Sequence, residues 1–148
     1  MTRRIQSSSA EETFAIGQRF AQYLQSGVVV ILTGELGAGK TTFTKGVASG
    51  LGIEKPVTSP TFVIAKSYRT KHNVDFIHID AYRLGSIQDI RDLDIEAQID
   101  NAIVVAEWGQ GFFEMIGNLI EVKFEIDSED SRTITMLSND IDVESMNL

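Results

Sequence analysis

Gly34-Glu35-Leu36-Gly37-Ala38-Gly39-Lys40-Thr41 fits the pattern G-x-x-x-x-G-K-[ST], whose chemistry is the capture of a polyphosphate. Glycines let the backbone curl until several amides point at one spot. A helix that begins near Lys40 aims its N-terminal partial positive charge at the same spot. The Lys40 ammonium can reach the β- and γ-phosphates, and the Thr41 hydroxyl can ligate Mg²⁺. Thr42 adds a second hydroxyl, for the α-phosphate or for capping the helix. With average residue usage, a chance match in a chain of 148 residues comes to roughly half a percent.

Capture is not yet hydrolysis, which also needs an ordered Mg²⁺ and a positioned water. Two acids stand at the ends of apolar runs, Asp80 and Glu107. The carboxyl ends of strands form the ligand crevice of an α/β sheet, so either acid can hold the metal or orient the water. Thr41 and Glu107 are the expected metal pair. The roles of Asp80 and Glu107 stay exchangeable, because the sequence does not say which strand lies beside residues 28–33. Each also has a plain reading as a strand-end residue. In Thr58-Ser59-Pro60-Thr61-Phe62, Pro60 restricts Ser59 and presents Thr58, Ser59 and Thr61 in a loop that a γ-phosphate can order; a strand entry with hydroxyl caps reads equally well. His78 and Asp80 share one side of a strand, but no further metal ligand accompanies them, so His78 reads first as packing. Arg83 reads first as a salt-bridge partner. Trp108, the single tryptophan, follows Glu107 directly, and Arg132 lies where it can face the nucleotide.

The elements that must position these residues follow from periodicity. Ser9-Ala10-Glu11-Glu12 is a capping box, and Phe14, Gly17, Phe20, Ala21 and Leu24 follow at helical spacing, which predicts a helix over 10–25 ended by Gly27. Residues 28–33 are a continuous apolar run, as in a strand covered on both faces. A helix follows over 40–49, with Gly50 and Gly52 as stops. Residues 62–68 and 74–79 read as a hairpin with a polar loop. A helix is expected over 86–99, a second buried strand over 103–106, and a late antiparallel pair carrying Val122, Phe124 and Ile126 against Ile134 and Met136. The acidic segment 139–148 is expected to fray. The sum is an α/β, P-loop NTPase-like three-layer fold. Its sheet is mixed and mainly parallel, with antiparallel edge hairpins.

One domain is expected over 1–148. Hydrophobic residues make up 43% and charged residues 23%, which suits a globular chain and argues against a disordered one. Cysteine is absent, which excludes disulfides, thiolate metal sites and cysteine nucleophiles and fits a reducing cytosol. No apolar run approaches the roughly 20 residues of a membrane span, and the start of the chain lacks the apolar core of an export signal. The formal charge of −8 and the lack of any Lys/Arg cluster larger than Arg3-Arg4 argue that nucleic acid is reached through a partner.

Taken together, GELGAGKTT over 34–42, TSPTF over 58–62, HIDAYR over 78–83 and EW at 107–108 resemble the TsaE (YjeE) family in order and rough spacing, across about residues 5–137. The phosphate loop is common to many families; the other three segments discriminate. The resemblance implies a cytoplasmic bacterial ATPase of the tRNA N6-threonylcarbamoyladenosine pathway. It would be weakly active alone and would use ATP and Mg²⁺. Its partners would be TsaB and TsaD, with tRNA contacted only through that complex and no membrane involved. By the same resemblance Lys40 and Thr41 hold phosphate and metal, Thr61 sits by the γ-phosphate, and Asp80 and Glu107 serve the metal and its water. Trp108 supports the site or the partner face, and Ser9 and Glu11 approach the adenine. Three departures stand out. Glu35 replaces a frequent aspartate, DLDIEAQ lacks a glycine near its helix end, and GQGFFEMIGN lacks a basic residue.

Three other readings compete. A P-loop small-molecule kinase needs a substrate insert and an arginine-bearing lid, for which the chain has little room and for which Arg83 and Arg91 are isolated. A GTPase-like switch needs an Asn-Lys-x-Asp segment, and none is present. A nucleotide sensor without hydrolysis survives if Asp80 and Glu107 are both structural.

Overall fold

The computed structural model describes residues 1–57, 65–80, 94–107 and 118–148. Seven strands form one sheet in the order β1-β7-β6-β2-β5-β4-β3. They are β1 (Thr2–Ser7), β2 (Val28–Gly34), β3 (Ala65–Arg69), β4 (Asp75–Asp80), β5 (Ala102–Glu107), β6 (Asn118–Ile126) and β7 (Arg132–Leu137). The central neighbours β6, β2, β5 and β4 run parallel. Both margins are antiparallel: β3 on β4, and β7 and β1 beyond β6. This is the mixed P-loop NTPase-like sheet expected, with β2 buried over its whole length except at Gly34.

Helices α1 (Ala10–Ala21) and α2 (Lys40–Gly50) cover one face. Beneath them pack Val28, Val30, Leu32, Phe76, Val105, Val122 and Phe124 with Phe20 and Phe43. The other face carries Val29, Ile31, Ile77, Ile79, Val104 and Ala106, joined by Ile99 from a 3-10 turn (Ile99–Asn101) that follows the short α3 (Ile95–Gln98). The two faces alternate residue by residue along β2 and β5, as strands buried on both sides must.

The α1–α2 contact is unusually close because glycines line it. A β-carbon at Gly17 would come 2.5 Å from the Phe43 carbonyl oxygen, and one at Gly46 would collide with the Phe14 carbonyl. Backbone therefore packs on backbone there. Only residues without a β-carbon allow that approach.

The chain ends differ from expectation. Residues 2–7 form β1, whose register pairs Ile5 with Ile134, and a single apolar residue among charged ones gave no strand signal. Helix α1 stops at Ala21, with Gln22 as its C-cap, four residues before the expected end. The segment expected to fray packs instead: Val143 is fully buried and Met146 nearly so, and both join the core beneath α1 and α2. The Arg3 guanidinium donates to the Glu144 carbonyl at 3.2 Å, and the Asn147 amide donates to the Tyr23 hydroxyl at 2.9 Å. Two apolar residues among acidic ones suffice once a groove exists to receive them. Of the predicted helix over 86–99, residues 86–93 lie outside the described residues, and so do residues 62–64 of the predicted hairpin.

Gly46→Ala should destabilise the fold by about 1–3 kcal/mol, the usual cost of forcing a methyl group into a filled contact. A urea titration should show a lower midpoint with an unchanged slope. An unchanged midpoint would mean that the two helices separate at no cost.

Candidate nucleotide site

The loop between β2 and α2 is set by its glycines. Gly37 (φ +80°) and Gly39 (φ +105°) adopt the left-handed region that residues with a β-carbon rarely enter. Gly34 sits against the Phe124 carbonyl oxygen, where a β-carbon would approach within 2.7 Å. The Ala38 amide donates to the Glu35 carbonyl at 3.0 Å, so this amide closes the loop on itself while Ala38 packs inward. Leu36, at the loop's tip, is 97% exposed. Gly39 is the N-cap of α2 and supplies no side chain to cap it; a helix N-terminus is electrostatically suited to an anion.

Lys40 is only 7% exposed. Its ammonium donates to the Gly34 carbonyl and, at 3.1 Å, to the Glu35 carbonyl, so the cation lies under the loop. Burial pushes its pKa below the ordinary lysine value. The nearby Glu107 and, to a smaller degree, Asp80 pull it back up. Both carboxylates thus act on the same ammonium through their charge. Asp80 and Glu107 are register partners at the ends of β4 and β5, and Glu107 is also opposite Leu32 of β2. Of the two acids, Glu107 is on the strand next to the loop and Asp80 one strand further out, which the sequence left open. On β4, two residues before Asp80, His78 is fully buried and its Nε2 lies 3.6 Å from the Glu107 Oε1.

A cavity of about 170 Å³ adjoins the loop. Its lining brings together Ser9, Gly37, Gly39, Thr42 and Arg132 with Ala10, Thr13, Glu129 and Asp130. Two helix N-termini meet there, those of α1 and α2. Ser9 caps α1 by accepting the Glu12 amide at 3.1 Å, while the Glu12 carboxylate accepts the Ser8 amide at 2.8 Å. Those bonds to Ser8, first through its hydroxyl and then its amide, hold the Glu12 pKa below the ordinary glutamate value. Arg132 fixes the β6–β7 hairpin to the loop: its guanidinium donates to the carbonyls of Ser128 (2.8 Å), Ser131 (2.9 Å), Glu129 (3.1 Å) and, across the cavity, Gly37 (3.3 Å).

Not every predicted residue arrives at the cavity. Glu11 is exposed on the first turn of α1 and does not line it. Thr41, at the start of α2, is exposed. Thr61, Arg83 and Trp108 lie outside the described residues, with Thr58, Ser59 and Pro60. The sequence reading missed Glu129 and Asp130; in an acidic turn between alternating strands, they read as solvated residues. It also missed a groove of about 440 Å³ lined by Lys55, Arg69 and Lys71, although Arg69 is paired there with Asp75 at 2.8 Å. Two separate segments, 52–55 and 67–71, supply those cations, so no run of sequence displays all three.

The donors present suit Mg²⁺. Among the described residues no three His, Cys, Asp or Glu side chains cluster as a self-sufficient metal cage. A threonine hydroxyl and one or two carboxylates beside a phosphate loop are the sparse set that Mg²⁺ accepts, with phosphate oxygens and water completing its shell. No helix among the described residues is long and apolar enough to cross a membrane.

Comparison with known proteins bears on the family and the fold. The family model described as "Threonylcarbamoyl adenosine biosynthesis protein TsaE" matches residues 7–134. A tRNA threonylcarbamoyladenosine biosynthesis protein TsaE of Streptomyces coelicolor is 46% identical over 101 residues, covering 67% of this chain and 68% of that protein. The proteins of the same description from Mycobacterium bovis and Bacillus subtilis are 36% and 38% identical, over 84% of this chain in each case and 80% and 78% of theirs. The crystal structure of Bacillus subtilis YdiB superposes with a TM-score of 0.72 at 30% identity, covering 93% of this chain and 86% of that one.

If Glu107 pulls the Lys40 pKa upward, Glu107→Gln should let Lys40 lose its proton at a lower pH than in the native chain. Following the lysine side-chain resonances by NMR across an alkaline titration measures this. An unmoved or raised Lys40 midpoint would separate the two charges.

Proposed function

Because this chain belongs to the TsaE family of tRNA threonylcarbamoyladenosine biosynthesis, we propose that it is a Mg²⁺-dependent ATPase that allows a cytoplasmic TsaB–TsaD complex to turn over during tRNA modification. The observation that carries the reading is the buried Lys40 ammonium beneath the glycine loop, with Asp80 and Glu107 in register at the ends of adjacent parallel strands.

In this reading the loop amides from Gly37 to Thr42 and the N-terminus of α2 receive the phosphates. Lys40 exchanges its loop carbonyls for β- and γ-phosphate oxygens, a stronger, charge-assisted partner. Thr41 and Glu107 hold Mg²⁺, with Asp80 supporting the same metal or its water. When bound, Mg²⁺ neutralises charge that develops on the phosphates. Glu107, on the strand next to the loop, and Asp80 divide the metal and the attacking water between them, and the two assignments are exchangeable. Thr61, Trp108 and Arg132 complete the nucleotide's surroundings, and Ser9 and Glu11 lie on its nucleoside side. The acidic balance of −8 suits a subunit that docks on proteins and leaves tRNA to them.

Lys40→Ala should weaken Mg-ATP binding about 10- to 100-fold, the range expected when hydrogen bonds to a charged group are lost. Calorimetric titration measures it, and native affinity would overturn the phosphate-loop assignment. Glu107→Ala should keep binding while turnover drops about 100-fold or more; full hydrolysis in that variant would hand the role to Asp80. The deciding experiment follows threonylcarbamoyladenosine on tRNA over several turnovers. TsaB, TsaD and threonylcarbamoyl-adenylate are supplied with the native chain, with Lys40→Ala, or with neither. Product beyond the first turnover only with the native chain supports the reading. Three equal reactions would overturn it and bring the small-molecule kinase alternative forward.

A further inference from the structure

His78 is fully buried, and neither of its ring nitrogens has a hydrogen-bond partner. The Glu107 Oε1 is likewise buried and unpartnered. The His78 Nε2 and that oxygen face each other across the β4–β5 pair at 3.6 Å, with side chains 1% and 12% exposed. A buried polar group left unpaired costs about 1–3 kcal/mol, and nearly all such groups in native proteins are paired. Here two of the three costs, those of Nε2 and Oε1, have one remedy. Closing the gap to the roughly 2.9 Å of an N–H···O bond satisfies both atoms at once.

The backbone makes the remedy cheap. His78 pairs in register with Val105, and Glu107 with Asp80, so the imidazole and the glutamate stem are held by the same hydrogen-bonded ladder. A small change in the Glu107 side-chain torsions supplies the movement. Packing alone accounts poorly for a histidine here, since an apolar residue would fill the space without two orphaned nitrogens. Metal ligation does not account for it either, because no third ligand joins the cluster among the described residues.

We propose that His78 is a positioning residue: its Nε2–H donates to the Glu107 Oε1 and so aims the second carboxylate oxygen toward the Lys40 side of the site. The proposal rests on the role given to Glu107 above. A glutamate has three side-chain torsions, and a carboxylate that must meet one water or one metal gains from having an oxygen tied down. Lys40 and Asp80 are the charged groups that share this corner, and neither supplies the sealed oxygen with a bond. No proton changes hands in this role; the imidazole keeps its Nε2 hydrogen throughout.

Imidazole NMR tests it without any reaction. The chain has two histidines, and His72, exposed in the β3–β4 connection, is assigned by its loss in His72→Gln. Two-bond proton–nitrogen spectra of the nucleotide-free chain should show His78 with hydrogen on Nε2, and that resonance should shift in Glu107→Ala. A bare Nε2, with hydrogen on Nδ1 alone, would overturn the proposal because its lone pair would face the carboxylate. Kinetics give the second readout. His78→Phe fills the space but cannot donate, so it should lower kcat roughly 10-fold or more while KM for Mg-ATP stays within about twofold. His78→Gln, which can donate, should recover most of that loss. Native kcat in His78→Phe, or equal losses in both variants, would sink the idea. If the native chain hydrolyses no ATP, the functional reading fails while the tautomer result still decides the His78–Glu107 bond.

Discussion

Lys40 carries a positive charge into a place where it is 7% exposed, and the rest of the site is arranged around that constraint. A desolvated ammonium is unstable unless carbonyls or carboxylates surround it. The Gly34 and Glu35 carbonyls do so from the loop, and the charges of Glu107 and Asp80 on the sheet favour the protonated form. The loop carbonyls are neutral acceptors, and a charged oxygen would be a stronger, charge-assisted partner for the same ammonium. A buried charge held in reserve is costly for the fold and useful for the site, a common exchange where binding is prepared in advance.

Two structural features hold that arrangement in place. The parallel ladder β6-β2-β5-β4 brings the carboxyl ends of β2, β5 and β4 to one edge, which sets loop, Glu107 and Asp80 in a row. The glycine-lined contact of α1 with α2 then brings the start of α1 to the phosphate loop. With bulkier residues at Gly17 and Gly46 the helices would stand apart, and Ser9 and Thr13 would no longer wall the same cavity as Gly37 and Thr42. A packing choice far along each helix therefore shapes the binding end.

The site was legible where chemistry and local geometry coincide. Gly37, Gly39 and Lys40 announce themselves because the turn demands left-handed backbone and the function demands a cation at a fixed offset. Asp80 and Glu107 were legible as acids at the ends of apolar runs, but their order across the sheet was not. Residues 2–7 escaped notice as a strand since an edge strand needs few apolar residues. Val143 and Met146 escaped notice since two apolar positions in an acidic tail have no period. Glu129 and Asp130, and the grouping of Lys55 with Arg69 and Lys71, are properties of segments brought together from apart.

By itself the sequence determined the fold class, the glycine turn ahead of Lys40 and the family, because each is encoded by residue type and spacing. Backbone conformation, helix N-termini and buried strands are local consequences of local composition. Tertiary structure alone decided that β5 lies beside β2 with Glu107 next to the loop. It also decided that the hairpin arginine Arg132 reaches Gly37 across 95 residues of chain, and that His78 faces the Glu107 carboxylate. Those relations depend on strand order and register, which are fixed by how the whole core packs and leave no mark at any one position.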